Sequence, residues 1–428
     1  MRAIRQAVGT SRPRVAEEAT FCSGYPELAR TIDRFGRGVV SLVARHGWTL
    51  WSADAWHVVC TARSSGIVDH MSPASAAQVL SDQTTPSPSA MPRPPTRWII
   101  SPRDDLVFFI GSAALSYLFL GAHFLAGVSI VTLYWGWLLF FDGPHAFTTL
   151  SRTYLDTQEW TRRAGLLLGS LGFFALGPLC VTNGLGPIFF PLAGIAAYHH
   201  VVRQHYGFMV IYKAKNGDLQ RVDNLIDRAF LVVALYQPFV LFILHDAGAR
   251  RALPFVVSGR LTAMIDTVLW ALLAVAATIF LFRQMQRLLR RDALDLPKYL
   301  LLLAVVPMHF LVLRLDLGPT WVAIFFTINH NVQYQRFVWF YNQNRYRIPD
   351  GAARFGPAAW VSQNIGRFLV CGVVFAGTYY LPNYLLRPSQ IAAGFFWGLA
   401  FVHYFLDAKI WHVRGDPELA RTLRLGTA

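Results

Sequence analysis

Charge is scarce in this chain of 428 residues. Only 15% of its residues are Asp, Glu, Lys or Arg, whereas 54% are hydrophobic, and soluble domains usually carry about 25% charged residues. Long runs of Leu, Phe, Ala and Val stand where the charges would be. Several runs approach the roughly 20 residues that a helix needs to span the hydrocarbon core of a bilayer. The composition argues against an ordinary soluble domain and predicts an integral membrane protein.

Cysteine and several familiar motifs are also rare or missing. The four cysteines, Cys22, Cys60, Cys180 and Cys371, form no CxxC pair, so neither a zinc ribbon nor a disulfide framework is indicated. The alternating strands of an outer-membrane barrel do not occur, and no convincing phosphate loop or nucleophile elbow is found. Because backbone polar groups must be satisfied within each spanning segment, we predict an all-α, polytopic helical bundle.

The net charge of +15 does not predict nucleic-acid binding. The basic residues are spread over short loops between apolar runs, where topology charges belong, and form no clustered basic face. They are nearly all Arg, which favours a GC-rich bacterial genome. We therefore expect a multi-pass protein of the bacterial inner membrane that contacts lipid and binds no nucleic acid.

Three regions differ in composition. Residues 1–100 contain no spanning run and end in a Ser/Pro-rich linker, so we expect a poorly structured cytoplasmic extension. An over-long gene prediction that should begin at Met71 or Met91, and a small cytoplasmic domain around residues 20–70, remain alternatives. Residues 101–414 are predicted to form the transmembrane domain, and residues 415–428 a cytoplasmic tail.

Ten apolar runs predict ten transmembrane helices. The expected spans are 106–122, 124–141, 164–182, 186–211, 226–245, 263–283, 299–314, 319–341, 367–383 and 391–411. Arg and Lys concentrate in alternate loops, which places both termini in the cytoplasm. The loop 246–262 carries three Arg residues on the predicted outer side, so eight or nine spans remain possible.

Polar residues cluster in the second, fourth, eighth and tenth spans, which all run from outside to inside. The clusters are Asp142–His145, Tyr198–Tyr206, Asn329–Gln335 and His403–Asp407. Counting along each span places His200, His330 and His403 near mid-membrane, and His145 closer to the cytoplasmic edge. Intramembrane ionisable residues are functional candidates by default, so we predict one shared site.

The residue types in these clusters suit a transition metal, with iron the first choice. The candidate ligands are His145, His199 or His200, His330, His403 and Asp407. Imidazole and carboxylate groups suit iron, zinc and copper, and His403 and Asp407 share one helix face at a spacing of four. Arg203 and Tyr334 are predicted to have catalytic roles, in holding or orienting the substrate.

These residues predict a metal-dependent oxidoreductase acting on a lipid or other apolar substrate. A transporter with a His/Asp proton relay, a haem protein with His200 and His403 as axial ligands, and a metal-free group-transfer enzyme are alternatives. Membrane fatty-acid desaturases carry repeated HxxxH and HxxHH boxes, and neither occurs here. For His123, His245 and His309, interhelical hydrogen bonding is an equally good explanation.

Overall fold

The computed structural model of the chain describes residues 96–385 and 389–425. The predicted N-terminal extension thus lies almost wholly outside the described residues. Within these two ranges the fold is entirely helical, with ten long helices. They are α1 (Pro102–Phe124), α2 (residues 130–152), α3 (Thr157–Thr182), α4 (Gly186–Lys215), α5 (Arg221–His245), α6 (Gly259–Leu289), α7 (Leu296–Val312), α8 (Pro319–Tyr346), α9 (Ile365–Leu385) and α10 (Gln390–Ile410).

Six of these helices are long and apolar enough to cross a membrane: α1, α3, α5, α6, α9 and α10. Helix α7 is apolar but shorter, while α2, α4 and α8 carry three of the four polar clusters. A helix that lines a polar site is less apolar than one that faces lipid on most sides. The architecture is consistent with a helical membrane bundle in which the less apolar helices carry most of the predicted site.

Helix α2 differs most from its predicted span. It begins at Ile130 and ends at Arg152, six and eleven residues later than the span 124–141. Gly127 adopts a left-handed backbone conformation with φ of 69°, which interrupts the helix there. Pro144 does not end the helix because it lies in the first turn after a π-helical segment, Leu138–Asp142, where its missing N–H is tolerated.

Helices α3 and α10 pack closely through glycine. A Cβ atom built on Gly177 would lie 2.2 Å from the carbonyl oxygen of Gly394, and one on Gly398 would lie 2.6 Å from the Cα of Phe174. Small residues let the backbones of membrane helices approach closely. This contact fixes α10, which carries His403 and Asp407.

A buried ionic network connects four helices, α4, α5, α6 and α7, near their ends. Lys298 Nζ lies 2.8 Å from Asp218 Oδ2 and 3.0 Å from Asp227 Oδ2. Lys213 pairs with the same oxygen of Asp227, and Arg287 Nη1 lies 2.7 Å from Asp218 Oδ1. Both lysine side chains are fully buried. Since a buried charge is tolerated only when it is paired, these contacts fix the relative positions of the helix ends.

The C-terminal segment packs against the end of α8. Its short helix, Pro417–Thr422, is followed by Leu423, and both Leu419 and Leu423 are 2% exposed. Arg345 Nη1 of α8 donates to Glu418 Oε1 at 2.6 Å. The predicted tail is therefore part of the folded bundle up to residue 425.

Candidate metal centre

Four histidines from four different helices meet at one point. His145 of α2, His200 of α4, His330 of α8 and His403 of α10 each offer a ring nitrogen, and these four atoms lie within 4.8 Å of one another. Each residue lies 11 to 15 positions after the first residue of its helix, or about 17–22 Å along the axis. The four helices thus present their histidines at similar distances from their first residues.

The nitrogens at the centre of this four-histidine cluster are close together. His403 Nε2 lies 2.8 Å from His145 Nε2 and 3.1 Å from His200 Nε2. The ring of His330 lies 4.7 Å from that of His145 and 5.1 Å from that of His200, measured between centroids. His145, His330 and His403 are at most 4% exposed, whereas His200 is part-exposed.

His145 shares the level of the other three histidines, although the sequence placed it nearer the cytoplasmic edge. The reason is the later start of α2, which moves residue 145 back toward the middle of its helix. Phe141 lies in the π-helical turn before it, and Gln335 Nε2 of α8 donates to the Phe141 carbonyl oxygen at 2.8 Å. Helix α8 therefore contacts α2 at a point one helical turn before His145.

A hydrogen-bond network contacts His403 on the Nδ1 side of its ring, away from the cluster. Asp407 Oδ1 accepts from the Thr149 hydroxyl at 2.8 Å and from the Tyr334 hydroxyl at 2.5 Å. The Tyr334 hydroxyl in turn accepts from Trp411 Nε1 at 3.1 Å. Thr149 Oγ1 also lies 2.7 Å from His403 Nδ1. All these groups are buried except the part-exposed Trp411.

Counting the protons in this network assigns the tautomer of His403. Each hydroxyl has one proton, and those of Thr149 and Tyr334 are directed to Asp407. Thr149 Oγ1 therefore accepts from the N–H at His403 Nδ1. The Nε2 atom of His403 is left without a proton, and its lone pair faces the centre of the cluster. A histidine that binds a metal through one nitrogen usually donates from the other in this way.

The four residues fit a transition-metal ion. Neutral imidazole is a ligand for iron, zinc, copper and nickel, and four ligands satisfy a tetrahedral site or leave two positions open in an octahedral one. In a tetrahedral site with metal–nitrogen bonds of about 2.0–2.1 Å, the nitrogens are about 3.3 Å apart. The observed 2.8 and 3.1 Å need only a few tenths of an ångström of expansion. The other nitrogen pairs lie within 4.8 Å and need contraction by at most about 1.5 Å.

Comparison with known proteins finds no counterpart. No protein-family model, no curated protein and no solved structure matches the chain. The function must therefore be argued from the geometry of the site.

The structure separates the predicted ligands into two groups. His145, His200, His330 and His403 converge. His199 instead contacts the Tyr236 hydroxyl through Nδ1, because neighbouring residues on a helix point about 100° apart. Asp407 lies 3.7 Å from the Nδ1 atom of His403, on the side of that ring away from the cluster. Its position suits a group that orients a ligand rather than one that binds the metal itself.

The two predicted catalytic residues also lie outside the cluster centre. Tyr334 donates to Asp407, with its ring 4.9 Å from that of His145, so its contacts suit a positioning residue. The guanidinium of Arg203 lies 5.4 Å from the centroid of the Tyr206 ring. A catalytic role for either residue remains a prediction.

Sequence reasoning missed Thr149 and gave Trp411 no role in the site. Thr149 follows His145 by four residues, so the helical repeat alone places it on the same face; a search for hydroxyl groups at that spacing would have found it. Trp411 follows Asp407 at the same spacing.

A second buried pair of histidines, His205 and His309, has ring centroids 5.6 Å apart.

The cluster is closed on the side of the C-terminal segment and part-open at His200. On the side of the C-terminal segment, Arg152 is 2% exposed. Its guanidinium carbon lies 3.7 Å from the ring centroid of Trp411 and 4.1 Å from that of Tyr341. At the other side, the part-exposed His200 ring stacks on Tyr404, also part-exposed, at 4.4 Å. The accessible side of the cluster therefore lies along α4 and α10.

Proposed function

We propose that this protein is a metal-dependent oxidoreductase of the membrane that acts on an apolar or lipid-like substrate. The convergence of four histidines from four helices carries the proposal. Single histidines in membrane helices are explained by interhelical hydrogen bonds, but four at one point form a ligand set. The bundle would lie in a bacterial cell membrane with ten crossings and both termini in the cytoplasm.

His145, His200, His330 and His403 would hold the ion, and iron is the metal we favour. Bound iron would supply redox chemistry at the positions that the four imidazoles leave open. The chain's own contribution begins with Asp407 and Thr149, which keep the Nε2 lone pair of His403 directed at the centre.

The route to the site favours an apolar substrate. His200 is the part-exposed member of the cluster, and beside it the rings of Tyr404 and Phe401 are also part-exposed. In the proposed orientation this side faces lipid, so molecules dissolved in the bilayer reach it without passing through water. A substrate from the aqueous phase would have to pass the packed C-terminal segment.

Elemental analysis with an optical spectrum of the detergent-purified chain tests the proposal. We expect about one transition-metal ion per chain in the wild type, and loss of that metal in His330→Ala and His403→Ala. His245→Ala is the matched control, since His245 pairs with Asp266 away from the cluster. If a chain supplied with iron, zinc and copper retains neither iron nor copper after desalting, the proposal is wrong, because zinc has no redox chemistry.

The spacing of the nitrogens argues against a haem held by His200 and His403. Two axial ligands with metal–nitrogen bonds of about 2.0 Å lie about 4 Å apart, with the porphyrin plane between them. Here the two Nε2 atoms are 3.1 Å apart, and His145 and His330 occupy the space beside them. The absence of a Soret band in the same optical spectrum would agree with this reading.

A proton-conducting transporter is the second candidate. The hydrogen-bonded run from His403 through Thr149, Asp407 and Tyr334 to Trp411 favours it. Proteoliposomes with an internal pH dye distinguish the two functions. Proton flux that persists in metal-free protein and disappears in Asp407→Asn would support transport.

A further inference from the structure

Asp142 is an ionisable residue of α2 that lies outside the four-histidine cluster and has no part in the proposed metal centre. It precedes His145 by three residues on α2, so the two share a helix face. It lies 12 residues after the start of α2, or about 18 Å along the axis, and it is part-exposed. An ionisable residue at this level of a membrane helix is costly and usually functional.

Asp142 has no cation beside it among the residues that the structure describes. Its hydrogen-bond partner is Tyr380 of α9, whose hydroxyl donates to Oδ2 over a long 3.3 Å, and the side chain of Asn331 also approaches it. A carboxylate has about four acceptor positions. Some of this capacity therefore remains available to a ligand.

Two part-exposed tyrosines interact with Asp142, and one of them borders the open side of the cluster. Tyr380 contacts its carboxylate, and the charge of Asp142 acts on the hydroxyl of Tyr404. The Tyr404 ring is the one that stacks on His200. Tyr404 thus connects the surroundings of Asp142 to the part-exposed side of His200.

We infer that Asp142, with Tyr380 and Tyr404, binds a hydrogen-bond-donating group, a hydroxyl or a protonated amine, on an otherwise apolar substrate. This inference rests on the proposed function, because it names the class of substrate for that site. A carboxylate accepts hydrogen bonds and attracts positive charge, and it repels a second carboxylate. Fatty acids and plain hydrocarbons are therefore disfavoured relative to long-chain alcohols and amines.

Equilibrium binding of four radiolabelled probes to the intact chain in nanodiscs tests this selectivity. The probes are hexadecanol, hexadecylamine, palmitate and hexadecane, with empty nanodiscs subtracted for partitioning. We expect the wild type to bind the alcohol and the amine at least about tenfold more tightly than the other two, which corresponds to about 1.4 kcal/mol. Asp142→Leu should lose this preference for both probes.

Asp142→Asn keeps a neutral acceptor, so it should retain the alcohol and lose the amine. Asp266→Asn, at a carboxylate that pairs with His245, should behave as the wild type. If Asp142→Leu fails to fold, Asp142→Asn still decides the question through the amine. Wild-type affinity for the amine in either Asp142 variant, or wild-type affinity for the alcohol in Asp142→Leu, would overturn the inference. A preference of the wild type for palmitate, or no binding of the alcohol and amine, would also overturn it.

Metal content, measured on the same samples, separates the two proposals. Selective binding by a wild type that holds no metal would leave the role of Asp142 standing and remove the oxidoreductase. Metal binding without selective binding of the probes would leave the oxidoreductase standing and remove the role of Asp142.

Discussion

The two ring nitrogens of His403 have different surroundings. Nδ1 contacts the Thr149 hydroxyl, and Nε2 faces His145 and His200. Because Thr149 also donates to Asp407, one hydroxyl connects the buried carboxylate to the imidazole. The carboxylate thereby orients the ring without contacting the centre of the cluster.

Thr149→Val should weaken metal binding while leaving the fold intact. Valine has nearly the same shape but cannot accept from His403 Nδ1, so the ring loses the contact that fixes its tautomer. Losses of partners that orient a ligand typically cost 10–100-fold in metal affinity, and we expect a loss in that range. Competition titration with a chromogenic chelator measures it.

Thr378→Val is the control for the loss of a threonine hydroxyl, since Thr378 is exposed on α9 and bonds only to its own helix backbone. Unchanged metal affinity in Thr149→Val would show that the threonine is only a packing residue.

At the scale of the helix, α2 depends on one very close approach. A Cβ atom on Gly143 would lie 2.2 Å from the Cβ of Ala376 in α9, and Gly372 of α9 faces Pro144 in the same way, at 2.9 Å from its Cβ. These contacts lie two residues or fewer before His145. The position of the His145 imidazole therefore depends on the close contact of α2 with α9 at these two glycines.

Gly143→Ala should lower the thermal unfolding temperature and reduce the metal content together. The added methyl group cannot fit against Ala376, so α2 must move away from α9, and overpacking of this kind typically costs about 1–3 kcal/mol. Size-exclusion thermal scans and elemental analysis measure the two effects.

Gly136→Ala is a matched control in the same helix, because a Cβ there has no neighbour within 4 Å. The double change Gly143→Ala with Ala376→Gly should restore part of the stability. A Gly143→Ala protein with wild-type stability and metal content would contradict the importance of this contact.

For the molecule as a whole, composition and loop charges predicted a helical membrane bundle, and the structure agrees, with six candidate membrane-spanning helices. Equal spacing along four like-directed helices also predicted that polar residues would meet. The sequence left His199 and His200 as alternatives, because the choice depends on how α4 is rotated against α8 and α10. The π-helical turn in α2 accepts a hydrogen bond from Gln335, 194 positions away, which no local sequence pattern indicates.

A buried carboxyl beside the ionic network of α4, α5, α6 and α7 makes the stability of the folded chain depend on pH. Asp295 begins α7 as its N-cap and accepts from Asn216 Nδ2 at 3.2 Å. It is 2% exposed, and burial raises the pKa of its carboxyl from 3.8 to about 6. The folded chain therefore holds this proton more tightly than the unfolded chain, so stability falls as the pH rises from about 4 to about 6.

Asp295→Asn should remove this loss of stability. Asparagine caps a helix as well as aspartate does and carries no charge to bury, so the variant should be more stable than the wild type at pH 7 by up to about 3 kcal/mol. The difference should shrink toward pH 4, where the wild-type carboxyl is protonated in both states. Thermal unfolding in detergent between pH 4.5 and 8 measures it, with the exposed Asp292→Asn as control. A constant difference across that range would mean that the variant acts through packing or capping, because only a titrating carboxyl makes the two curves converge at low pH.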